Sequence, residues 1–88
     1  MNPYKEILRK FFSEYVGALR NRRGLTQEQL AEMDRLTGRA YSALERGIYC
    51  FSAVALVFLL LMLEEGEIKE LLSSLRDEIE KDEGREVA

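Results

Sequence analysis

The reactive side chains of this 88-residue chain are almost all charged groups, because it contains one Cys and no His. Imidazole is the commonest general base and a frequent zinc ligand, and no group of residues here has metal-ligand spacing. The carboxylates from Glu64 to Glu86 recur at ordinary helical spacing, as on a solvated helix face. We therefore expect no enzymatic activity, no metal site and no cofactor.

Basic residues are concentrated in the first half of the chain. Residues 1–47 carry nine Lys or Arg and six Asp or Glu, which gives +3, whereas residues 48–88 carry four and ten, which gives −6. The N-terminal half is therefore the part that would meet a polyanion, with the acidic half held away from it. The same charges could equally do no more than solvate helix faces.

Caps and stop signals predict a long first helix and a short second one. Asn2 can cap the free amides of a helix that Pro3 begins, and Gly24 ends it. Between them, apolar residues recur three and four positions apart. Thr26 and Gln29 then have the form of a capping box, which starts the second helix.

Three further helices follow, and no strand pattern is present. Thr37 is the cap of a third helix of about ten residues that Gly47 closes, and Ser52 is the cap of a fourth. The later segments are a fourth helix over 53–63, Gly66 as a separator, an amphipathic fifth helix over 67–81 and a frayed tail over 82–88. The fold class is all-α, with a single domain over residues 1–81.

The fourth helix has no polar side chain from Ala53 to Leu63. A membrane span needs about 20 consecutive apolar residues, so we expect a buried helix and no membrane insertion. A small domain has few elements with which to cover every face of such a helix. Its core face is assigned to Val54, Leu56, Val57, Leu60 and Leu61. A homodimer interface is assigned to Ala55, Phe58, Leu59 and Met62, together with Leu72 and Leu75 of the fifth helix. Alternatively, the first helix folds back over the fourth.

The stretch LRNRRGLTQEQLAEMDRLTGRAYSALERG, residues 19–47, resembles the phage repressor, Cro and Xre type of helix-turn-helix protein. The matching features are the Arg20 to Gln27 motif, Leu30-Ala31, Ser42 and Glu45-Arg46-Gly47, and the resemblance extends over about residues 16–63. It implies a five-helix repressor-like bundle, with the helix-turn-helix at about 26–47, that binds operator DNA as a dimer.

The resemblance also implies roles for individual residues. Gln27 would contact a phosphate, and the third helix would lie in the major groove with Gly38, Arg39, Ser42 and Ala43 facing the bases. Arg39 can bind guanine O6 and N7 bidentately and Ser42 can bind a base edge or a phosphate, whereas Gly38 and Ala43 offer no hydrogen bond. Further candidate phosphate contacts are Arg20, Arg22, Arg23, Arg35 and Arg46. Glu45 and Arg46 could instead be mainly structural.

The sequence departs from the family pattern at the turn. Ungapped alignment places Asp34 at a buried aliphatic position and Arg35 at the turn Gly. A shift of one residue would bury Met33 and place Asp34 in the turn, where Asp tolerates the left-handed region better than Arg does. We favour the shift. The apolar segment from Ile48 to Phe51 also replaces a polar loop of the family, which removes a backbone contact and suits a buried interface.

These observations favour a DNA-binding transcriptional regulator, a repressor, that acts as a homodimer. The alternative is a protein interaction module of the antitoxin or anti-repressor type, with weak or no DNA binding. Such a module, or the regulator itself, could receive a protein partner on the acidic fifth helix. Cys50 cannot form an internal disulfide, and MNPYKEILRKFF does not look like a signal peptide, so the cytoplasm is the expected location.

Overall fold

The structure, a computed structural model, describes the backbone of residues 2–87 and the side chains of residues 2–84. It confirms an all-α fold of five helices. They are α1 (Pro3–Arg23), α2 (Gln27–Met33), α3 (Gly38–Glu45), α4 (Ala53–Leu61) and α5 (Glu65–Val87). The core lies where α1, the α2–α3 pair and the two last helices meet. It contains Phe12, Val16, Leu19, Leu30, Ala31, Tyr41, Leu59, Leu63 and Leu71.

The predicted caps form as hydrogen-bonded caps. The side chain of Asn2 accepts from the amide of Tyr4, and Gly24 ends α1 in the left-handed region at φ 64°. The Oγ of Ser52 accepts from the amide of Ala55 at 3.1 Å. Since each cap binds an amide that the helix itself leaves unpaired, these side chains determine where the helices begin.

Helix boundaries near the C-terminus differ from the prediction. Helix α4 ends at Leu61, and α5 begins at Glu65, so Gly66 lies within the first turn of α5 instead of separating the two helices. The backbone is helical through Val87, which extends α5 beyond residue 81 and into the segment that was expected to fray. Of that predicted tail, Ala88 lies outside the described residues.

The turn between α2 and α3 follows the ungapped alignment, so the favoured one-residue shift is wrong. Asp34 is 1% exposed, Met33 is 38% exposed and Arg35 has φ 57°. Helical periodicity explains the result, because Asp34 follows the buried Leu30 by four residues and lies on the same face. Arg35 occupies the left-handed position of a Schellman motif, in which the amide of Leu36 donates to the carbonyl of Ala31 at 2.8 Å.

The two faces of α4 are only partly as predicted. Leu56 and Leu60 of the assigned core face do pack against the core. Ala55 and Leu59, assigned to the dimer interface, are buried in the core with Leu63 at intervals of four residues. Val54 and Val57, assigned to the core, are exposed, as is Leu61. A helix that is apolar on every side carries no periodic signal that distinguishes an inner face from an outer one.

Candidate nucleic-acid interface

The N-termini of α2 and α3 begin at threonine caps. Thr26 accepts from the amide of Gln29 at 3.1 Å, and the side chain of Gln29 accepts from the amide of Thr26 at 2.8 Å, which completes the predicted capping box. The Oγ1 of Thr37 accepts from the amide of Ala40 at 3.1 Å. Gln27 is therefore the first residue of α2, and Gly38, Arg39 and Ala40 form the first turn of α3.

Glu45 and Arg20 attach the end of α3 to α1. The guanidinium of Arg20 donates from Nε and Nη2 to the two carboxylate oxygens of Glu45 at 2.9 and 2.8 Å, and its Nη1 donates to the carbonyl of Leu25 at 3.1 Å. Arg20 holds the pKa of Glu45 below its ordinary value, with additional hydrogen bonding from Tyr41 and Gln27. This bidentate pair orients α3, and it occupies an arginine that the sequence assigned to phosphate.

Tyr41 supports the same orientation from inside the core. Its side chain is fully buried, and its hydroxyl donates to the carbonyl of Val16 in α1 at 3.4 Å. Burial, followed by the nearby carboxylate of Glu45, raises the pKa of Tyr41, so its hydroxyl remains protonated at neutral pH. The inner side of α3 is thus fixed by both packing and hydrogen bonds.

The outer side of α3 is exposed and sparsely polar. Arg39 is exposed, and no group among the described residues binds its guanidinium. Ser42 is half-buried, and its carbonyl accepts from Nε of Arg46 at 3.3 Å. Ala40 is exposed beside Arg39. Gly38 is half-buried in the same first turn.

Ala43 does not project from α3 as the sequence prediction required. It is 8% exposed, because the chain that follows α3 folds back over it and the amide of Ile48 donates to its carbonyl at 2.9 Å. Its side chain instead lines an open groove beside Arg39. Ala43 can therefore contact only a group that enters this groove.

That groove has a volume of about 410 Å³ and lies between α3 and the segment leading into α4. Its lining residues are Leu36, Thr37, Arg39, Ala40, Ala43, Leu44, Tyr49, Cys50, Ser52 and Ala55. Tyr49 is 65% exposed at this surface. Cys50 is half-buried, and its thiol donates to the carbonyl of Lys5 at 3.4 Å.

Arg22 and Arg23 are bound to a carboxylate instead of being free for phosphate. The Nη2 atoms of Arg22 and Arg23 donate to Glu67 at 2.8 and 2.6 Å, and Nη1 of Arg23 donates to the carbonyl of Met62 at 3.1 Å. The backbone amide of Glu64 and these two arginines lower the pKa of Glu67 to about 2. This Glu67 cluster attaches the end of α1 to the junction of α4 and α5.

Arg35 is also engaged within the domain. Its guanidinium carbon lies 4.4 Å from the ring centroid of Phe58, and its Nη1 donates to the carbonyl of Met33 at 2.8 Å. The cation–π contact joins the helix-turn-helix to α4. Of the arginines predicted to contact DNA, Arg39 is thus the one whose guanidinium has no partner among residues 2–84.

Sequence reasoning missed Ala40 and Tyr49 as residues of this surface. The Thr37 cap contained the signal for Ala40, because it places Ala40 in the first turn of α3, which no preceding turn of the helix covers. Tyr49 had no comparable signal, since an aromatic residue in an apolar loop is equally compatible with burial.

A family model described as helix-turn-helix, of the Cro and Xre-like type, matches residues 16–64, which is more than half of the chain. The chain belongs to this helix-turn-helix family. The match confirms the resemblance drawn from residues 19–47, and it includes every residue of α2, α3 and α4. No significant match was found among curated proteins or solved structures.

In helix-turn-helix proteins that bind DNA, the second helix of the motif enters the major groove, and α3 is that helix in this chain. The function class is that of a DNA-binding transcription regulator, and this class is typically non-enzymatic. Within the described residues, no helix is long and apolar enough to cross a membrane.

Proposed function

We propose that this protein is a sequence-specific repressor that binds operator DNA as a homodimer through α3. The observation that carries the proposal is the unpaired guanidinium of Arg39 on the first turn of α3, at the end that a helix-turn-helix presents to the bases. Arginine binds guanine O6 and N7 bidentately, which is the commonest specific contact in the major groove. The Arg20–Glu45 pair fixes the orientation of α3 relative to α1, which supports the proposal.

An exposed apolar stripe on α4 supports the homodimer. Val54, Val57 and Leu61 follow one another at intervals of three and four residues, and each is more than half exposed. Leu72 of α5 is exposed as well, whereas the other predicted interface residues Phe58, Met62 and Leu75 are half-buried. Exposed apolar stripes mark association surfaces, and a patch on one helix can meet its own copy across a two-fold axis.

A dimer would place two copies of α3 on one side of the duplex. Half-sites one helical turn apart lie about 34 Å from centre to centre, so each protomer needs only a few base contacts. Binding of both half-sites then couples the affinity for DNA to dimerisation. An operator occupied in this way would exclude other proteins from the same DNA, which is the basis of the proposed repression.

Binding to a randomised duplex library tests the DNA proposal. The purified chain is titrated against labelled duplexes at low and physiological salt, followed by fluorescence anisotropy, and enriched sequences are identified by repeated selection. We expect Arg39→Ala to abolish enrichment of specific sequences while the fold is retained. Arg76→Ala is the matched control, because it removes the same charge from an exposed position on α5. Absence of binding to any duplex at low salt refutes the proposal.

Sedimentation equilibrium tests the dimer. Leu61→Asp introduces a carboxylate into the exposed stripe, and it should yield a monomer with unchanged helical content. Ala18→Asp introduces the same group on the exposed side of α1 and should leave the dimer intact. A wild-type chain that sediments as a monomer at all concentrations refutes the assignment of α4 to an interface.

The second candidate function is a protein interaction module on a helix-turn-helix scaffold. Small side chains on the outer side of α3 and the exposed Ile48 and Tyr49 favour it, since apolar loops bind phosphates poorly. A protein partner could also dock on the acidic fifth helix. If the wild-type chain and Arg39→Ala bind DNA equally weakly and without sequence preference, this second function is favoured over repression.

A further inference from the structure

The groove between α3 and the start of α4 exposes mainly carbon atoms to solvent, although five of its lining residues carry polar side-chain atoms, namely Thr37, Arg39, Tyr49, Cys50 and Ser52. In Thr37, Cys50 and Ser52 these atoms are already hydrogen-bonded to the backbone. The hydroxyl oxygens of Thr37 and Ser52 accept from the amides of Ala40 and Ala55, and the thiol of Cys50 donates to the carbonyl of Lys5. What remains for an incoming group is a largely apolar surface of methyl groups, aliphatic side chains and the ring of Tyr49, with the Tyr49 hydroxyl and the Arg39 guanidinium as its polar groups.

Arg39 forms part of the wall of the same groove. The apolar surface is therefore contiguous with the guanidinium that we assign to guanine. If the major-groove edge of a guanine binds Arg39, the base pair next to that guanine would lie over the groove. Beyond Arg39 and Ser42, the outer side of α3 adds no hydrogen-bonding side chain, since Gly38, Ala40 and Ala43 have no polar side-chain atoms.

Among the four bases, thymine alone presents a methyl group in the major groove, and small apolar side chains recognise it by contact. We propose that this groove is a thymine-recognition site, in which the C5-methyl edge of a thymine next to the guanine bound by Arg39 packs against Ala40, Ala43 and Tyr49. This inference rests on the proposed function of DNA binding and specifies its base preference. Sequence selectivity then arises from one bidentate arginine and from shape, with few hydrogen bonds.

Uracil-substituted DNA tests the site, because uracil differs from thymine only in lacking the C5-methyl group. The probe is the duplex enriched by selection, compared with versions in which each thymine of one half-site is replaced singly by uracil. Burial of one methyl group corresponds to about a fourfold change in affinity, so we expect about fourfold weaker binding for the uracil next to the guanine. Uracil outside the half-sites should have no effect.

Two variants separate the groove from general DNA binding. Tyr49→Ala removes one wall, and the ratio of thymine to uracil affinity should fall towards one. Ile48→Ala is the matched control, because Ile48 is an exposed neighbour in the same loop and does not line the groove. The thymine preference of Ile48→Ala should equal that of the wild-type protein.

The outcomes distinguish this inference from the function on which it rests. Equal affinity for thymine and uracil duplexes, with Arg39→Ala still abolishing selection, overturns the thymine site and leaves DNA binding in place. An enriched sequence with no thymine beside its guanine has the same meaning. Failure of the wild-type protein to bind any duplex overturns both proposals.

Discussion

Replacement of Asp34 should stabilise this protein, because its carboxylate is buried without a hydrogen-bond partner. The residue is 1% exposed, and neither carboxylate oxygen is hydrogen-bonded among the described residues. Desolvation raises the pKa of Asp34 from 3.8 to about 6, although the charge of the neighbouring Arg35 lowers it. Asp34→Val restores an aliphatic side chain at a position where the family has one.

The size of the effect follows from that pKa. Two pKa units correspond to about 3 kcal/mol of free energy, which is a large part of the stability of a small domain. The folded pKa lies above the unfolded value, so the folded state binds the proton more tightly. The wild-type protein therefore loses about this much free energy of unfolding as Asp34 ionises, between about pH 4 and 6, and the loss is complete above the folded pKa. The free energy of unfolding of Asp34→Val should exceed that of wild type, and we expect this excess to be about 3 kcal/mol larger at pH 8 than at acidic pH.

Urea unfolding between pH 4 and 8, followed by circular dichroism at fixed protein concentration, measures the difference. Asp34→Asn should also lose the pH dependence, but it should gain less than Val because a buried polar group remains unpaired. Asp77→Asn removes an exposed carboxylate from α5 and should change nothing. A stability difference between Asp34→Val and wild type that is constant across pH would refute the reasoning, since Asp34 would then have a polar partner in solution.

Two carboxylates should show the opposite pH dependence. Glu45→Gln weakens the bidentate pair with Arg20, and we expect a loss of about 2 kcal/mol in the free energy of unfolding at pH 7, measured by urea titration. The loss should shrink as pH falls, because the pKa of Glu45 is lowered in the folded state. Glu67→Gln should cost about 1 kcal/mol or less at pH 7, and its difference from wild type should disappear between pH 4.5 and about 2. A stability difference between variant and wild type that grows as the pH falls would contradict the lowered pKa of the carboxylate concerned.

Local chemistry in the sequence was sufficient to predict most of the fold. Asn2, Thr26, Thr37 and Ser52 each precede a helix in the structure, as their side-chain oxygens required. The family motif placed α2 and α3 correctly for the same reason, since Thr26 and Thr37 determine their first turns. A cap depends on contacts within about four residues, and such contacts can be recognised without knowledge of the tertiary structure.

Tertiary choices were less predictable. The favoured shift at Asp34 assumed that an acidic residue avoids the core and that Arg avoids positive φ, yet the periodicity set by Leu30 overrode both preferences. The prediction also treated each arginine as free, whereas Glu45 and Glu67 bind three of them. Glu67 is 45 residues from Arg22 along the chain, so no local pattern could indicate that they would pair.

The same pairing bears on how strongly DNA binding should depend on salt. If Arg39 and Arg46 supply the charge at each half-site, a dimer brings four cations to the DNA. With a slope of about −0.9 per neutralised phosphate, the logarithm of the affinity should then fall against the logarithm of salt concentration with a slope of about −4. Release of Arg22 and Arg23 from Glu67 would add four cations per dimer and roughly double this slope.

Anisotropy titrations over a range of potassium chloride concentrations measure this slope. A value near −4 for wild type, which steepens in Glu67→Gln, indicates that the Glu67 cluster keeps Arg22 and Arg23 from the phosphates. A wild-type slope near −7 would contradict this, because DNA would then displace Glu67 from both arginines. The junction of α4 and α5 would in that case loosen on binding, since Arg23 also holds the carbonyl of Met62.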